Sequence, residues 1–128
     1  VTALLTGFPD VEAAVLDLLD SVASTVTSTP ANFTPPLVQV QRIGGEDDGL
    51  TDYPVVVVTC YGASRSDAWE MAEDCRQLIL ASVNEEPGGA LVDSAATITP
   101  AQQIPDPNTA LRVVTATYRL GLRRPRTS

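Results

Sequence analysis

The sequence predicts an α+β domain in which two helices pack on one face of a four-stranded mixed or antiparallel sheet, in the order α-β-β-α-β-β. Three observations carry that prediction. Apolar residues recur at helical spacing in two stretches, Val11 to Val22 and Ala68 to Val83. Tyr53 to Tyr61 (YPVVVVTCY) is β-branched, aromatic and apolar on both parities, as a central strand covered on both faces would be. Thr109 to Leu122 alternates with a period of two. The chain has 128 residues, which suits one domain with a single core and no need of a covalent staple.

The first helix opens after Pro9 and Asp10 and turns Val11, Ala14, Val15, Leu18, Leu19 and Val22 to one side. Acids near its start favour the helix dipole. Ser24 to Thr29 should end it, because Ser and Thr side chains compete with the backbone, and Pro30 forbids continuation. After the proline-punctuated loop 30–36 comes a half-buried strand, Leu37 to Ile43, with Val38 and Val40 on one face and Gln39 and Gln41 on the other. Residues 44–52 (GGEDDGLTD) read as an exposed acidic loop. Tyr53 to Tyr61 is the second strand, with Pro54 at its beginning.

Ser64 or Ser66 caps the second helix, and the Ser64–Asp67 spacing is that of a capping box with Asp in place of Glu. The helix is expected over 67–83, with Ala68, Met71, Ala72, Cys75, Leu78, Ile79 and Val83 inward and Glu70, Glu73, Asp74 and Gln77 outward. Its small residues Ala68 and Ala72 would let it approach the sheet closely. Ala90 to Thr99 is a weaker strand, 100–108 a loop with three prolines, and 109–122 the last strand. On that strand Arg112 shares the parity of the apolar residues. It therefore lies beyond the sheet edge, or the register changes near Val113 and Val114. The lead, residues 1–8, and the basic tail, residues 123–128, offer little to a core and are expected to be flexible.

Composition excludes several chemistries. Sixteen acids against eight arginines give a net charge of −8, with no lysine and no histidine, which argues against a nucleic-acid-binding surface. General acid–base work would fall to carboxylates, Tyr or Cys. Ser64 and Ser66, in GASRS, lack the following glycine of a nucleophile elbow, and they read as caps. No phosphate-binding glycine motif occurs. The acidic loop lacks the alternating ligands and closing glutamate of a calcium loop, so no metal or cofactor is expected. Cys60 and Cys75 read as small buried hydrophobes, reduced in a cytoplasmic setting. Trp69 reads as core rim, with a subunit-contact anchor as the alternative. The opening residues lack the basic and apolar regions of a signal peptide. The longest apolar run, Val55 to Val58, cannot span a membrane.

The stretch DYPVVVVTCYGASRSDAWEMAEDCRQLILAS combines Tyr-Pro leading an apolar strand, a Gly-x-Ser-Arg turn and a helix carrying Ala68, Ala72 and Arg76. With the opening FPDVE, the acidic glycine loop and the closing RVVTATYRLGLRR, it resembles the tail terminator family of long-tailed bacteriophages, also called tail completion or minor tail protein U-like proteins. The resemblance covers nearly the whole chain, and its motifs are structural, with no catalytic signature. It implies a non-enzymatic virion protein, assembled in the host cytoplasm, that forms a ring, usually a hexamer, at the head-proximal end of the tail tube. There such a ring stops tube polymerisation and presents a surface to the head–tail connector. The implied partners are further copies of the chain, the tube protein and the connector protein, while genomic DNA passes through without specific binding.

The residues expected at the subunit or tube interface, or in the lumen, are Glu46, Asp47, Asp48 and Asp52 of the acidic loop, Arg65 and Trp69 on the helix edge, and Arg119, Arg123 and Arg124. An acidic rim would repel DNA sliding through it, and the acidic loop and basic tail could pair across a ring interface. Two other readings stay open from sequence, a head-closure or neck-connector ring and a monomeric binding module.

Overall fold

The computed structural model describes residues 7–106 and 111–123. Its elements run α1 (Val11–Leu19), β1 (Ser24–Val26), β2 (Leu37–Asp47), β3 (Thr51–Gly62), α2 (Arg65–Leu80), β4 (Val92–Ile104) and β5 (Arg112–Arg123). The sheet has five strands in the order β1-β2-β3-β5-β4, with β1 parallel to β2 and every other pair antiparallel. The architecture is therefore α+β with two helices and a mixed sheet, as expected, but with one strand more than the sequence predicts.

Strand parity sets the core. Val38 and Val40 of β2, Val56, Val58 and Cys60 of β3, and Val114, Ala116, Tyr118, Leu120 and Leu122 of β5 are all buried on the helix side. Val11, Ala14, Val15 and Leu19 of α1 and Ala68, Ala72, Cys75 and Ile79 of α2 close over them in one cluster. The opposite parity of β3, including Val55, Val57, Thr59 and Tyr61, is half-buried, with no helix of the described residues over it. Β-strand Tyr53 to Tyr61 is thus apolar on both faces, yet the helices cover only one.

Each helix is set by its cap. The Asp10 carboxylate accepts the N–H groups of Glu12 and Ala13 at 2.9 and 3.3 Å, which starts α1 at Val11. Ser64, not Ser66, caps α2, its Oγ accepting the Asp67 N–H at 3.1 Å. The helix leaves the sheet at Gly62, where a Cβ would lie 2.7 Å from the Ala68 backbone N. Only glycine there, with alanine above it, permits that approach. Cys75 follows on the same face, its Sγ 3.9 Å from that of Cys60.

Four boundaries differ from the sequence prediction, each for a physical reason. The first helix ends at Leu19, and Ser24–Val26 forms the short β1. Three residues are too few to show a period, and they are strand only because β2 offers a parallel partner. Residues 44–47 belong to β2, and β3 starts at Thr51, so the expected acidic loop is the end of a β-hairpin. A bulge between Arg42 and Gly44 reverses the parity of β2, and Gly45, at φ +123°, lies where a Cβ would meet the Tyr53 carbonyl oxygen. The second helix starts at Arg65 and ends at Leu80, earlier at both ends than expected.

Finally, β4 runs through Pro100 to Ile104 instead of stopping at Thr99. An edge strand tolerates proline, and register shifts on either side of Thr99 absorb it. Arg112 pairs opposite Gly62 with no register change, so it lies at the end of the sheet. Most of the expected lead, most of the basic tail and the end of the proline loop lie outside the described residues.

Burial makes two expected outcomes measurable. Tyr118 is 1% exposed, and burial first, then the nearby Cys75, push its phenol up to about 12. The neutral phenol's contribution is complete below pH 10 and is lost as pH rises through about 12. Tyr118→Phe should remove about 2–3 kcal/mol of that alkaline decline, read as flatter stability between pH 10 and 12. A decline identical to wild type would contradict it. The hydrogen bond to Cys60 and burial push the Cys75 thiol up, so both thiols should label only as fast as the domain unfolds. Rapid native labelling would contradict the packing.

Candidate functional site

The charged residues singled out by sequence fall at two ends of the sheet. Thr51 pairs with Arg123 at one end, and Gly62 pairs with Arg112 at the other. At about 3.3 Å per residue, the two ends are about 36 Å apart. Glu46, Asp47, Asp48, Asp52 and Arg123 lie together at the first end, and Arg65 and Trp69 follow Gly62 at the second. Arg119 stands between them, exposed on the uncovered sheet face opposite Val55. Arg124 lies outside the described residues.

At the hairpin the acids have distinct structural tasks. Asp48 builds the turn, its carboxylate accepting the N–H groups of Leu50 and Thr51 at 3.0 and 2.7 Å. Those N–H dipoles, Thr51 first, hold its carboxyl below the usual range. Asp47 accepts the Gly49 N–H at 3.0 Å. Glu46 pairs opposite Tyr53 and is exposed.

Asp52 is different, because its side chain is only 4% exposed. Arg42 binds it through both terminal nitrogens, at 2.7 and 3.0 Å. The register sets Asp47 directly across from Asp52, so the arginine also offsets a like-charge pair. Nearby, Arg123 bonds the Asp93 carboxylate at 3.2 Å. The acidic turn and the start of the basic tail thus sit at one end of a single copy.

Around α2 the charges divide. The Arg65 guanidinium lies 5.8 Å from the Trp69 ring centroid. Trp69 itself is half-buried, and its indole N–H finds no acceptor among the described residues. On the flank toward α1, a groove of about 380 Å³ has Pro35, Pro36 and Met71 for its apolar wall and Asp67, Glu70 and Asp74 for its acidic one. Sequence reasoning took Glu70 and Asp74 as a plain solvated face. Their i, i+4 like-charge spacing was the signal, and Arg76, the arginine near enough in sequence to offset it, pairs with Glu73 instead. It also passed over Arg42 and Asp93, whose partners are set by strand register and so are invisible to spacing along the chain.

Charge gathers on the rims of the sheet and on the flanks of α2, and no helix of the described residues covers the other sheet face. Residues 7–128 match the family model of phage tail termination proteins, and the chain belongs to that family. Its fold is similar to that of a chain in the virion of a native gene transfer agent particle, with a TM-score of 0.63 and 12% identity. That likeness covers 88% of this chain and 93% of the other. A sequence comparison with curated proteins finds no match. The chain is thus a non-enzymatic, structural component of the virion tail, as the resemblance implied.

The Arg42–Asp52 pair yields a direct test of what holds the hairpin. Arg42→Ala would leave a buried carboxylate without its partner and should cost about 2–3 kcal/mol in denaturant unfolding. A loss under about 0.5 kcal/mol would mean that the pair behaves as an ordinary surface bridge.

Proposed function

We propose that copies of this chain close into a ring, six-fold as the family resemblance implies, at the head-proximal end of the tail tube. The ring stops tube polymerisation and forms the joint to the head–tail connector. The observation that carries this reading is the family match along residues 7–128. The architecture supports it, since no helix of the described residues covers one sheet face and the sheet ends in two different edges, β1 with β2 on one side and β4 on the other. Two unlike edges suit a head-to-tail contact, the kind that closes into a ring.

The acidic hairpin end, with Glu46, Asp47 and Asp48 exposed, belongs to a rim or lumen in this reading. Repeated around a ring it repels the phosphate backbone of passing DNA. Asp52 takes part only indirectly, by holding Arg42 and the hairpin in place. Arg119, Arg123 and Arg124 supply the facing charge toward the tube.

Electron microscopy of the purified chain with and without tail tubes tests the reading. Rings seated at one tube end, and tubes that no longer elongate once capped, are the expected result. A chain that stays monomeric at high concentration and leaves tubes growing would overturn it. Glu46→Ser, Asp47→Ser and Glu46→Ser/Asp47→Ser should leave melting close to wild type while weakening capping in a salt-dependent way.

A further inference from the structure

The two flanks of α2 are chemically opposite. At 100° per residue, Ala68, Ala72, Cys75 and Ile79 point into the core. Asp67 and Asp74 then fall on one flank, beside Val22, Pro35, Pro36 and Met71, with Glu70 at its outward edge. Arg65 and Trp69 fall on the other flank. None of the three acids has an ion-pair partner among the described residues, where the bridges are Arg42–Asp52, Arg76–Glu73 and Arg123–Asp93. Arg65 rests on an aromatic ring and has no carboxylate among those bridges either. The indole N–H below it is a buried donor without an acceptor among the described residues, a condition that native proteins seldom leave unmet.

We infer that the acidic groove on α2 receives Arg65 of a neighbouring copy, so that opposite flanks of the same helix meet across the interface. This rests on the ring reading above and specifies its contact. Cyclic assembly needs two different patches that meet when one copy is rotated onto the next. Here both patches lie in the first ten residues of one helix, and Arg65 and Glu70 are separated by about 7.5 Å along its axis. A rotation about an axis roughly parallel to α2 keeps that offset, which the long Arg65 side chain must span, while Asp67 lies only about 3 Å from Arg65 along the axis.

The basic tail fits the groove less well. Arg123 sits at the far end of the sheet, about 36 Å from Gly62 at the groove's rim. Arg123 therefore does not reach the groove of its own copy.

Charge exchange in the full chain tests the contact. Arg65→Glu adds an acid to the first turn of α2, where the dipole favours it, and Glu70 is exposed, so neither Arg65→Glu nor Glu70→Arg should unfold the domain. Thermal melting checks that. Self-association is followed by sedimentation, and by emission of the single tryptophan, Trp69, which lies in the contact. Each single variant should raise the half-assembly concentration by about tenfold or more, and the double variant should return it to within about threefold of wild type.

Rings of Arg65→Glu that form as readily as wild type would overturn the contact while leaving the ring reading intact. A double variant no better than the weaker single would overturn it too. So would tail truncation after Arg123 abolishing assembly while Arg65→Glu does not. Failure of wild type to assemble either alone or on tubes would overturn both the contact and the ring.

Discussion

The seat of α2 on the sheet is the constraint on which the rest of the structure depends. Gly62 ends β3 so close under Ala68 that no side chain fits between them, and the helix then lies flat along β3, β5 and β4. Small residues, Ala68, Ala72 and Cys75, carry the contact, and Cys60 meets Cys75 at its centre. Close packing of this kind is stiff, since a single added methylene must displace backbone. The rotation of α2 about its own axis is therefore fixed. That fixes which of its polar residues look toward α1 and which look away.

A second constraint acts at the opposite end. The β2–β3 hairpin continues several residues beyond the apolar core, where burial alone would not hold it. It is held by polar geometry instead, with the bulge after Arg42, the paired Arg42 and Asp52, and the Asp48 carboxylate closing the turn. The acids that look like a loose charged loop in the sequence are thus partly structural. Glu46 alone among them has no bond to the turn and stands open to solvent.

What was legible in the sequence follows the same division. The faces of both helices and of β5 were legible because periodicity reports burial, whereas β3, apolar on both parities, was legible as a strand but not in which face the helices cover. The short β1 and the extension of β4 through Pro100 were not, since both exist through pairing with a neighbour rather than through any local preference. The hairpin was hidden by Gly44 and Gly45, which read as loop residues but serve a bulge and a close approach to Tyr53. Among the proposed site residues, Arg65 and Trp69 sit on a helix edge, as their spacing places them. The groove opposite them required the tertiary fold, because Pro35 and Pro36 come to it from another segment.

The central claim is that a rigidly seated α2 offers two complementary flanks to an assembly at the end of the tail. Reconstruction of the tail end by cryo-electron microscopy, at a resolution that traces helices, tests it most directly. The account predicts density for this fold at the head-proximal end only, with α2 of each copy placed between neighbouring subunits and the hairpin tips toward a rim or channel. Density for the chain along the length of the tube, or α2 facing bulk solvent with no subunit against either flank, would contradict it.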